Sequence, residues 1–376
     1  MKSLHGKKVW VHCASLGEFE QARPLIEMIR QRDPAMKILL TFFSPSGYDV
    51  RRYYEGVDYV SYLPIDNAVN AIKFIRTVRP DLIIWVKYEY WYHFLRQLYI
   101  RNLPVILVSA VFRPDQPFFR WYGGLHREML GYFRHIFVQN ESSRELLAGL
   151  GFAAEVCADT RFDRVASIAA QRKEYDTIAA FKGDKKLIVA GSTWSKDVDL
   201  IARLINEDPF QGAFKYVIAP HDVNEENNYY IIGNTVVRRG LFSRVTTQNA
   251  HDYDLIIVDG IGMLSSIYYY ADVVYVGGGF DTSVHNILEP TVYGKPVIFG
   301  PNHQKSAEAL ELLSHPEWHA AYTVSSYEQL LDSIEDLYEH DGAHLRTGSE
   351  KAREYVLSHT GGTEQIYAWL KSKNYL

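Results

Sequence analysis

VGGGFDTSVHNILEP, residues 276–290, follows the apolar run Asp272–Val276 and predicts a strand, a glycine turn and the start of a helix. Three consecutive glycines allow the backbone to approach a ligand closely, and a helix start offers free amides to an anion. Asn286 and Glu289 lie three positions apart, which predicts a shared helical face that could bind neighbouring hydroxyl groups, while Pro290 is tolerated early in a helix. The segment therefore predicts a site for a nucleotide or a sugar acid. An ordinary turn with a capped helix is the alternative.

Short β-rich segments alternate with helical ones on both sides of this unit, which predicts parallel sheets built from βαβ units. Helices such as Phe19–Arg30 and Asn67–Val78 are expected between the strands. The first series of predicted strands is Lys8–Ala14, Ile38–Phe43, Val57–Tyr62, Leu82–Val86, Val105–Ala110, Ile136–Val138 and Glu155–Ala158. The second series is Lys186–Ala190, Tyr216–Ala219, Leu255–Val258, Val273–Val276 and Pro296–Phe299.

The two series predict an α/β protein with two doubly wound, Rossmann-like domains that face each other across a cleft. We expect an N-terminal domain over residues 1–165, a polar helical linker over 166–184 and a C-terminal domain over 185–345. Residues 346–376 are expected to form helices that pack back towards the N-terminal domain.

Composition is that of a globular protein without a membrane span. The 376 residues are 47% hydrophobic and 23% charged, and no apolar run approaches the length of about 20 residues that a membrane helix needs. Met1–Lys8 lacks the apolar core of a secretory signal, and Cys13 and Cys157 are the only cysteines, so we expect a reducing cytoplasm. Residues 1–165 contain 22 Lys and Arg against 17 Asp and Glu, and the remainder contains 18 against 28. The basic half fits an anionic lipid surface or a phosphorylated substrate, or simply solvated charge.

Ligands of such sheets bind at the carboxyl ends of the strands, so the loops after strands are the candidate sites. The loop after the first strand contains Ser15, Gly17 and Glu18 at a helix start. A carboxylate there could be a general base, although Ser15 and Glu18 also match a capping box, which spacing alone favours. Ser46, in the loop Thr41–Tyr48, could bind phosphate or merely belong to a turn.

The segment Lys87–Trp91 combines charged and aromatic residues after a predicted strand. Lys87 and Glu89 could recognise a sugar, or the segment could pack at a domain interface.

Among the later loops, Ala190–Trp194 comes just before a predicted helix and offers amides and hydroxyls to a phosphate or carboxylate. His221 has no Cys or His nearby at metal-binding spacing, so we expect a structural role and no metal ligand.

Together these segments resemble the lipopolysaccharide 3-deoxy-D-manno-octulosonic acid (Kdo) transferases, which are glycosyltransferases of the GT-B class. The resemblance covers nearly the whole chain in family order. The matching segments are VWVHCASLGE ending at Glu18, YLPID ending at Asp66, Glu89–Trp91, CADTRFDRV ending at Val165, AGSTW ending at Trp194, APH ending at His221, Asp259–Leu264, and GGGFDTSVHNILEP ending at Pro290.

The resemblance implies an inverting transfer of Kdo from CMP-Kdo to a lipid A precursor, with CMP-Kdo as donor substrate and neither a cofactor nor a metal ion. It implies that Glu18 is the catalytic base and that the N-terminal domain binds the acceptor, with Ser15, Gly17, Ser46, Lys87, Glu89 and Arg113 as candidate contacts. The CMP-sugar side would use Ser192, Thr193, His221, Gly262, Gly278, Asn286 and Glu289. Helix amides near Ser192 and His285 would stabilise the leaving phosphate.

The chain departs from the family pattern on the acceptor side. Many members have an acidic residue and then Trp-Pro-Asn where this chain has Lys87 and the segment Trp91–His93. Their Asn-Ala-Arg-Leu-Ser run is replaced by Ser109–Arg113, in which Arg113 takes the place of the displaced arginine. Members usually carry an N-terminal membrane anchor, whereas here the first strand begins almost at once, so we expect the anchor to be trimmed or absent.

We expect a peripheral protein at the cytoplasmic face of the bacterial inner membrane that binds no nucleic acid. Phe118–Phe137 mixes aromatic and basic residues as a surface helix would, although a buried helix with snorkelling arginines has the same composition: Phe119, Trp121, Tyr122, Leu125, Met129 and Phe133 with Arg120, Arg127 and Arg134. Two other functions fit the sequence: another GT-B enzyme that uses a UDP-sugar, as a transferase or an epimerase, and a non-catalytic lipid- or glycan-binding relative.

Overall fold

A computed structural model describes residues 6–87 and 89–376. The chain divides into two compact units: the first extends to Arg164 and includes His359–Leu376, and the second is Val165–Ser358. Each unit contains one parallel sheet of seven strands with helices between the strands.

The first half of the chain alternates strand and helix almost without exception. Its elements are β1 Lys8–Cys13, α1 Leu16–Arg32, β2 Lys37–Phe42, α2 Pro45–Arg51, β3 Tyr59–Tyr62, α3 Ala68–Val78, β4 Leu82–Val86, α4 Tyr92–Ile100, β5 Val105–Ala110, α5 Gly124–Leu130, β6 His135–Val138, α6 Glu141–Ala148, β7 Glu155–Val156 and α7 Thr160–Ala170.

The remaining elements build the second sheet, and the last helix returns to the first unit. They are α8 Asp176–Lys182, β8 Lys186–Thr193, α9 Ser195–Glu207, β9 Phe214–Pro220, α10 Glu225–Asn234, β10 Arg239–Leu241, β11 Leu255–Ile257, α11 Leu264–Ile267, β12 Val273–Val276, α12 Leu288–Thr291, β13 Val297–Phe299, α13 Ala307–Leu313, β14 Ala321–Thr323, α14 Tyr327–Ser358 and α15 Gly362–Ser372. Helix α14 is interrupted by non-helical backbone at Glu339–Gly342.

The first sheet has the strand order β3-β2-β1-β4-β5-β6-β7, with all pairs parallel. Helices cover both faces, so its central strands are apolar on both sides, as in doubly wound folds. Trp10 and Trp85 pack on one face with ring centroids 5.4 Å apart, and Phe19 and Phe42 pack on the other. Helix α15 packs against α1 on that second face.

The second sheet has the order β10-β11-β9-β8-β12-β13-β14, again with parallel pairs throughout. All twelve predicted strands overlap observed ones. The two strands that were not predicted, β10 and β14, are edge strands of three residues with the sequences RGL and AYT. Their residues are mostly half-buried and carry too short a pattern to be recognised.

The chain does not enter a helix directly after the glycine turn, so the predicted strand-turn-helix unit is wrong at this point. Helix α12 begins only at Leu288 and has four residues, which leaves Asn286 outside it. The intervening amides are used elsewhere, because the N–H groups of Val284 and His285 donate to the carbonyls of Asn302 (2.8 Å) and Gly277 (3.1 Å). A four-residue helix has only a small dipole, and this one begins three residues after His285, so it adds little positive potential at His285.

The stretch 166–184, predicted as a linker, packs within the second unit. The backbone N–H groups of Lys173 and Tyr175 donate to the hydroxyls of Ser266 (3.1 Å) and Tyr270 (2.7 Å). At the other end of the chain, Asp163 accepts hydrogen bonds from the N–H groups of Gly361 and Thr363 at 2.6 and 2.7 Å. Residues 359–376 therefore pack in the first unit, while 346–358 belong to the second.

The aromatic and basic segment Phe118–Phe137 is not one surface helix. It contains a short 3-10 turn at Pro117–Phe119, helix α5 and the start of β6. Phe118, Met129, and Phe133 lie in the core, whereas three side chains are exposed: Trp121 (92%), Tyr122 (59%) and Leu125 (50%). Phe119 is half-buried. Across residues 6–87 and 89–376, none of the helices has both the length and the apolar character required to cross a bilayer.

Candidate active site

Glu18 lies in the first turn of α1, directly after β1, and both interpretations of it from sequence find support. The N–H of Ser15 donates to its Oε2 at 2.9 Å, as in a capping box, and the Ser15 hydroxyl lies 3.4 Å from the same oxygen. The residue is only 8% exposed. Burial raises the pKa of Glu18, while the Ser15 amide and the positive charge of Lys87 oppose that rise. A buried carboxylate whose pKa is raised is a stronger base than an exposed one.

Lys87 and Glu89 follow β4 at the same edge of the sheet. Lys87 has left-handed backbone (φ 62°), and its N–H donates to the Val108 carbonyl at 3.0 Å. Burial and the negative charge of Glu18 raise the pKa of Glu89 to about 7. The charge of Glu18 therefore interacts with those of Lys87 and Glu89. This agrees with the expectation that loops at the carboxyl ends of the strands bring their polar residues together. Strained backbone is frequent where side chains are held for function.

A pH-dependent stability follows for Glu89. Its pKa in the folded protein is about 7 against an ordinary 4.5, so the folded state binds the proton more tightly than the unfolded chain does. The resulting stabilisation is complete below pH 4.5 and is lost as pH rises through 7, by about 1–2 kcal/mol after a discount for partial exposure. We expect thermal melting of wild type to fall by roughly 3–6 °C more between pH 5 and pH 8 than that of Glu89→Gln. Equal pH dependence of the two proteins would contradict the assignment.

The other predicted site residues of this unit, Ser46, Gly17 and Arg113, contact residues close in sequence or make no contact that requires their residue type. Ser46 lies in the first turn of the seven-residue helix α2. Its N–H donates to the hydroxyl of Ser44, the N-cap residue, at 3.3 Å. A Cβ on Gly17 would meet no atom within 4 Å, so no close packing demands glycine there. Arg113 follows β5, and its Nε lies 3.7 Å from the Asp115 carboxylate.

Asp66, the last residue of the matching segment YLPID, has a structural role that the sequence did not reveal. Its carboxylate accepts hydrogen bonds from the N–H groups of His93 and Phe94, each at 3.1 Å. These groups belong to the first turn of α4, whose amides otherwise lack partners. Asp66 thereby fixes the helix that follows Glu89.

In the second unit, the glycines after β12 are required by close packing of the chain on itself. A Cβ on Gly277 would lie 2.4 Å from the Ser192 carbonyl oxygen, and one on Gly279 would lie 2.6 Å from the Gly300 nitrogen. Gly278 has φ 90°, which favours glycine. Packing of the chain on itself is thus a sufficient reason for glycine at Gly277 and Gly279.

Asp197, which was not predicted, holds this turn against the loop after β8. The fully buried carboxylate accepts hydrogen bonds from the Trp194 and Gly278 N–H groups, both at 2.9 Å, and from the Tyr275 hydroxyl at 2.7 Å. Burial raises its pKa, and these three donors oppose the rise. Its only sequence signal is its position at the third residue of α9, where acidic residues are common for helix stability alone.

Ser192 and Thr193 lie in β8 rather than at the amides of a helix start. Ser192 has φ 53°, and the Thr193 carbonyl accepts a hydrogen bond from the His221 N–H at 3.0 Å. Helix α9 begins two residues later with Trp194 as its N-cap. Ser192 and Thr193 therefore end the strand, and the helix amides belong to residues further along.

His221 belongs to a cluster of rings that its sequence context did not indicate. Its ring stacks on Trp194 (4.7 Å, 20°) and on His285 (4.4 Å, 16°), and the Trp194 indole N–H donates to His285 Nε2 at 3.0 Å. Burial and the proximity of His221 lower the pKa of His285 to about 4, so it is neutral at pH 7. Because its Nε2 accepts, its Nδ1 carries the proton and can donate. A cavity of about 290 Å³ lies beside this cluster.

Asn286 and Glu289 are in contact, although not through a shared helical face. The Asn286 amide donates to the Glu289 carboxylate at 3.2 Å, and the Leu288 N–H donates to the Asn286 side-chain oxygen at 3.1 Å. Gly262, after β11, has φ 77° and open space at its Cβ position. The predicted residues of this unit thus lie at the end of β8 or follow β9, β11 and β12, whose carboxyl ends share one sheet edge.

One group of possible metal ligands occurs in the described part of the chain, away from this edge. His319 and His344 each place Nδ1 near the Asp336 carboxylate, at 3.0 and 3.1 Å, and their rings stack at 3.8 Å. His319 precedes β14, so the group lies at the amino end of that strand. The Tyr322 hydroxyl also donates to Asp336 at 2.5 Å, which makes this a hydrogen-bonded network next to the interruption of α14.

Comparison with solved structures confirms the α/β GT-B fold class. UDP-GlcNAc 2-epimerase from Neisseria meningitidis is 15% identical, with a TM-score of 0.59 over 94% of this chain and 99% of the other. MurG from Acinetobacter baumannii is 11% identical, with a TM-score of 0.58 over 98% of this chain and 100% of the other. At these identities the likeness concerns the fold alone.

Sequence comparison finds similarity to one group of transferases. The family model described as "3-Deoxy-D-manno-octulosonic-acid transferase (kdotransferase)" matches residues 1–164. A 3-deoxy-D-manno-octulosonic acid transferase of Chlamydia trachomatis serovar A is 26% identical over 98% of this chain and 86% of its own length. The enzyme of the same name from Haemophilus influenzae is 24% identical over 96% of this chain and 86% of its own. The chain is thus similar to 3-deoxy-D-manno-octulosonic acid transferases over nearly its whole length, and its first 164 residues match the model of that family.

Proposed function

We propose that this protein is an inverting glycosyltransferase that transfers Kdo from CMP-Kdo to a lipid A precursor in lipopolysaccharide biosynthesis. The match of residues 1–164 to the family model, and similarity to named Kdo transferases over nearly the full chain, support the sugar that is transferred. The single structural observation that carries the proposal is Glu18, a buried carboxylate of raised pKa at the carboxyl end of the first sheet.

In the proposed reaction, Glu18 accepts the proton of an acceptor hydroxyl as its oxygen attacks the anomeric carbon of Kdo. The new carbon–oxygen bond forms as the bond from that carbon to the phosphate oxygen breaks, and CMP leaves with both electrons of the broken bond. Attack from the face opposite the leaving group inverts the anomeric centre. The proton on Glu18 then passes to solvent, which returns the side chain to the ionised form that the next turnover needs.

We assign donor binding to the loops that follow β8, β9 and β12. Neutral His285 can donate its Nδ1–H to a phosphate or carboxylate oxygen, and the amides at the start of α9 favour negative charge because this helix has thirteen residues. Asn286 and Glu289 provide an amide and a carboxylate that suit the hydroxyls of a ribose. These groups would stabilise the leaving phosphate without a cation.

Transfer of radiolabelled Kdo from CMP-Kdo to a lipid A precursor tests the proposal directly. The alternative of a UDP-sugar enzyme is tested by thermal shift, with CMP expected to raise the melting temperature and UDP not. A non-catalytic relative would bind CMP but give no transfer. Stabilisation by UDP alone would favour the alternative enzyme over the proposed one.

We also propose that the protein acts as a peripheral protein at the cytoplasmic face of the inner membrane. Trp121, Tyr122 and Leu125 form an exposed apolar group next to Arg120, which suits an anionic lipid surface. We expect the Trp121→Ser/Leu125→Ser protein to lose at least about tenfold in flotation with phosphatidylglycerol vesicles, since two buried apolar side chains contribute about 3 kcal/mol. Tyr229→Ser, which removes a 67%-exposed aromatic residue from the second unit, is the control. Equal flotation of the two variants would contradict this surface.

A further inference from the structure

Two imidazole rings and a carboxylate converge in the second unit, on His319, His344 and Asp336. The Nδ1 atoms of the two histidines lie 3.0 and 3.1 Å from the two oxygens of the Asp336 carboxylate. One ligand atom of each residue lies within 4.8 Å of the other two. Divalent transition metals bind imidazole and carboxylate groups of this kind. His319 precedes β14, so the group is separate from the loops at the carboxyl ends of the strands.

The separations between these atoms suit a small tetrahedral ion. Zinc lies about 2.0–2.2 Å from imidazole nitrogen and carboxylate oxygen, so neighbouring ligands of a tetrahedral ion are about 3.3 Å apart. The two nitrogen–oxygen separations differ from this value by only about 0.3 Å. The rings of His319 and His344 stack at 3.8 Å and 11°. An ion bound by both would turn them out of this stack, to centroids about 5 Å apart, because it lies in the plane of each ring.

Tyr322 orients the carboxylate. Its hydroxyl donates to Asp336 Oδ2 at 2.5 Å and lies 3.1 Å from His319 Nδ1. The other carboxylate oxygen, Oδ1, faces His344. Carboxylates that bind metal ions are usually held by hydrogen bonds from neighbouring groups, and these neighbours contribute to the affinity. The direction of the Asp336 side chain is therefore fixed by a residue that need not touch the ion.

Backbone packing brings the two histidines together independently of their side chains. Gly348 lies one turn after His344 in α14 and packs against His319, because a Cβ on Gly348 would lie 2.3 Å from the His319 carbonyl oxygen. His319 itself has left-handed backbone, with φ 52°. The close approach of α14 to this loop thus sets the positions of both rings.

The three residues flank the interruption of α14. Asp336 precedes the non-helical residues Glu339–Gly342, and His344 follows them. Three consecutive residues of the interruption have left-handed backbone, with φ between 50° and 74°, a conformation that is unfavourable for residues other than glycine. An ion held by Asp336 and His344 would join the two parts of the helix across this break, and His319 would join both parts to β14.

We propose that His319, Asp336 and His344 form a binding site for a divalent transition metal, with zinc as the expected ion and water as the fourth ligand. Both histidines bind through Nδ1 as neutral imidazoles, so the proton of each Nδ1 is lost to solvent and Nε2 takes one up. The ion stabilises the interruption of α14 and takes no part in Kdo transfer. This site does not depend on the proposed function.

Titration of the intact, untagged and chelator-treated protein with Co²⁺ tests the site, because tetrahedral Co²⁺ absorbs visible light far more strongly than the hydrated ion. We expect wild type to bind one Co²⁺ per chain and Zn²⁺ to displace it, since zinc binds such ligands more tightly. His319→Gln and His344→Gln should each raise the Kd for Co²⁺ at least about tenfold, because loss of an outer partner alone costs about 10–100-fold. Tyr322→Phe should raise it about tenfold for that reason.

His315→Gln is the matched control, because the Nδ1 of His315 also pairs with a carboxylate, that of Glu317, at 3.2 Å, outside the proposed site. It should bind Co²⁺ as wild type does. Zn²⁺ at about 100 times its Kd should raise the melting temperature of wild type by roughly 5–10 °C and that of His344→Gln by less than about 2 °C. Mg²⁺, which prefers oxygen ligands, should raise neither.

The measurements on wild type and on Tyr322→Phe test the site even if the histidine variants fail to fold, which circular dichroism shows. If wild type gives no saturable spectrum of tetrahedral Co²⁺, or if folded His319→Gln and His344→Gln bind Co²⁺ as wild type does, the three residues form a hydrogen-bonded network only and the proposal is wrong. Chelator-treated wild type should transfer Kdo at an unchanged rate below its melting range. Transfer that requires added metal would contradict the assignment of the ion to stability alone.

Discussion

Glu18→Gln is expected to fold normally and to lose about 10²–10⁴-fold in the rate of Kdo transfer, the usual contribution of a general base. Folding should persist because the glutamine side-chain oxygen can still accept the hydrogen bond that the Ser15 N–H donates to Glu18. The amide cannot take up a proton at neutral pH, so only the chemical role is removed. The steady-state transfer rate at saturating CMP-Kdo and acceptor measures the effect.

Glu20→Gln is the matched control, because Glu20 lies on the same helix and its carboxylate pairs at the surface with Arg51 at 2.9 Å. We expect less than a twofold change in its rate. CMP should raise the melting temperature of all three proteins equally, which shows that donor binding is intact. If Glu18→Gln turns over at a rate near that of wild type, Glu18 is a helix cap alone and another residue is the base.

The decline of the transfer rate at acid pH is a second measurement of the role of Glu18. Burial raises the pKa of Glu18 above its ordinary 4.5, and the base must be ionised to act. Transfer by wild type should therefore decline as pH falls, with a midpoint higher than that of an exposed glutamate. The residual activity of Glu18→Gln should lack this decline.

The central strands could be predicted from sequence because helices cover both sheet faces, which makes these strands apolar throughout. Leu82–Val86 and Val105–Ala110 are observed with the predicted bounds for this reason. The edge strand Arg239–Leu241 escapes prediction because three half-buried residues carry no periodic signal. The helix expected after the glycine turn fails for another reason, since amides of the turn are bonded to a loop that is distant in sequence.

In the candidate site too, contacts between residues close in sequence could be predicted, whereas contacts between distant residues could not. Glu18 and its cap could be predicted because both partners lie within four residues. Asn286 and Glu289 were predicted to share a helical face from their spacing of three; their side chains are in contact, but Asn286 lies before the helix. Asp197 could not be predicted, because the meaning of its carboxylate depends on Tyr275 and Gly278, about 80 residues further along the chain.

Asp197→Ala is expected to destabilise the second unit by about 3–5 kcal/mol, because it leaves the N–H groups of Trp194 and Gly278 and the Tyr275 hydroxyl buried without an acceptor. A change of this size lowers the melting temperature by roughly 10 °C for a unit of about 190 residues. Donor affinity should fall as well, since the same carboxylate joins the loop after β8 to the turn after β12.

Asp197→Asn separates the hydrogen bonds from the charge at this position. Its side-chain oxygen can still accept from both backbone N–H groups, and its amide can donate to the Tyr275 hydroxyl, so we expect a loss of only about 1 kcal/mol and nearly normal CMP binding. Asp199→Ala is the control on the same helix, because its partner is the hydroxyl of the half-exposed Tyr230. Thermal melting and CMP titration of the three variants show whether the hydrogen bonds or the charge of Asp197 hold the turn after β12. A wild-type melting temperature for Asp197→Ala would show that the turn after β12 keeps its place without this carboxylate, whereas equal losses for the alanine and asparagine variants would assign the effect to the charge.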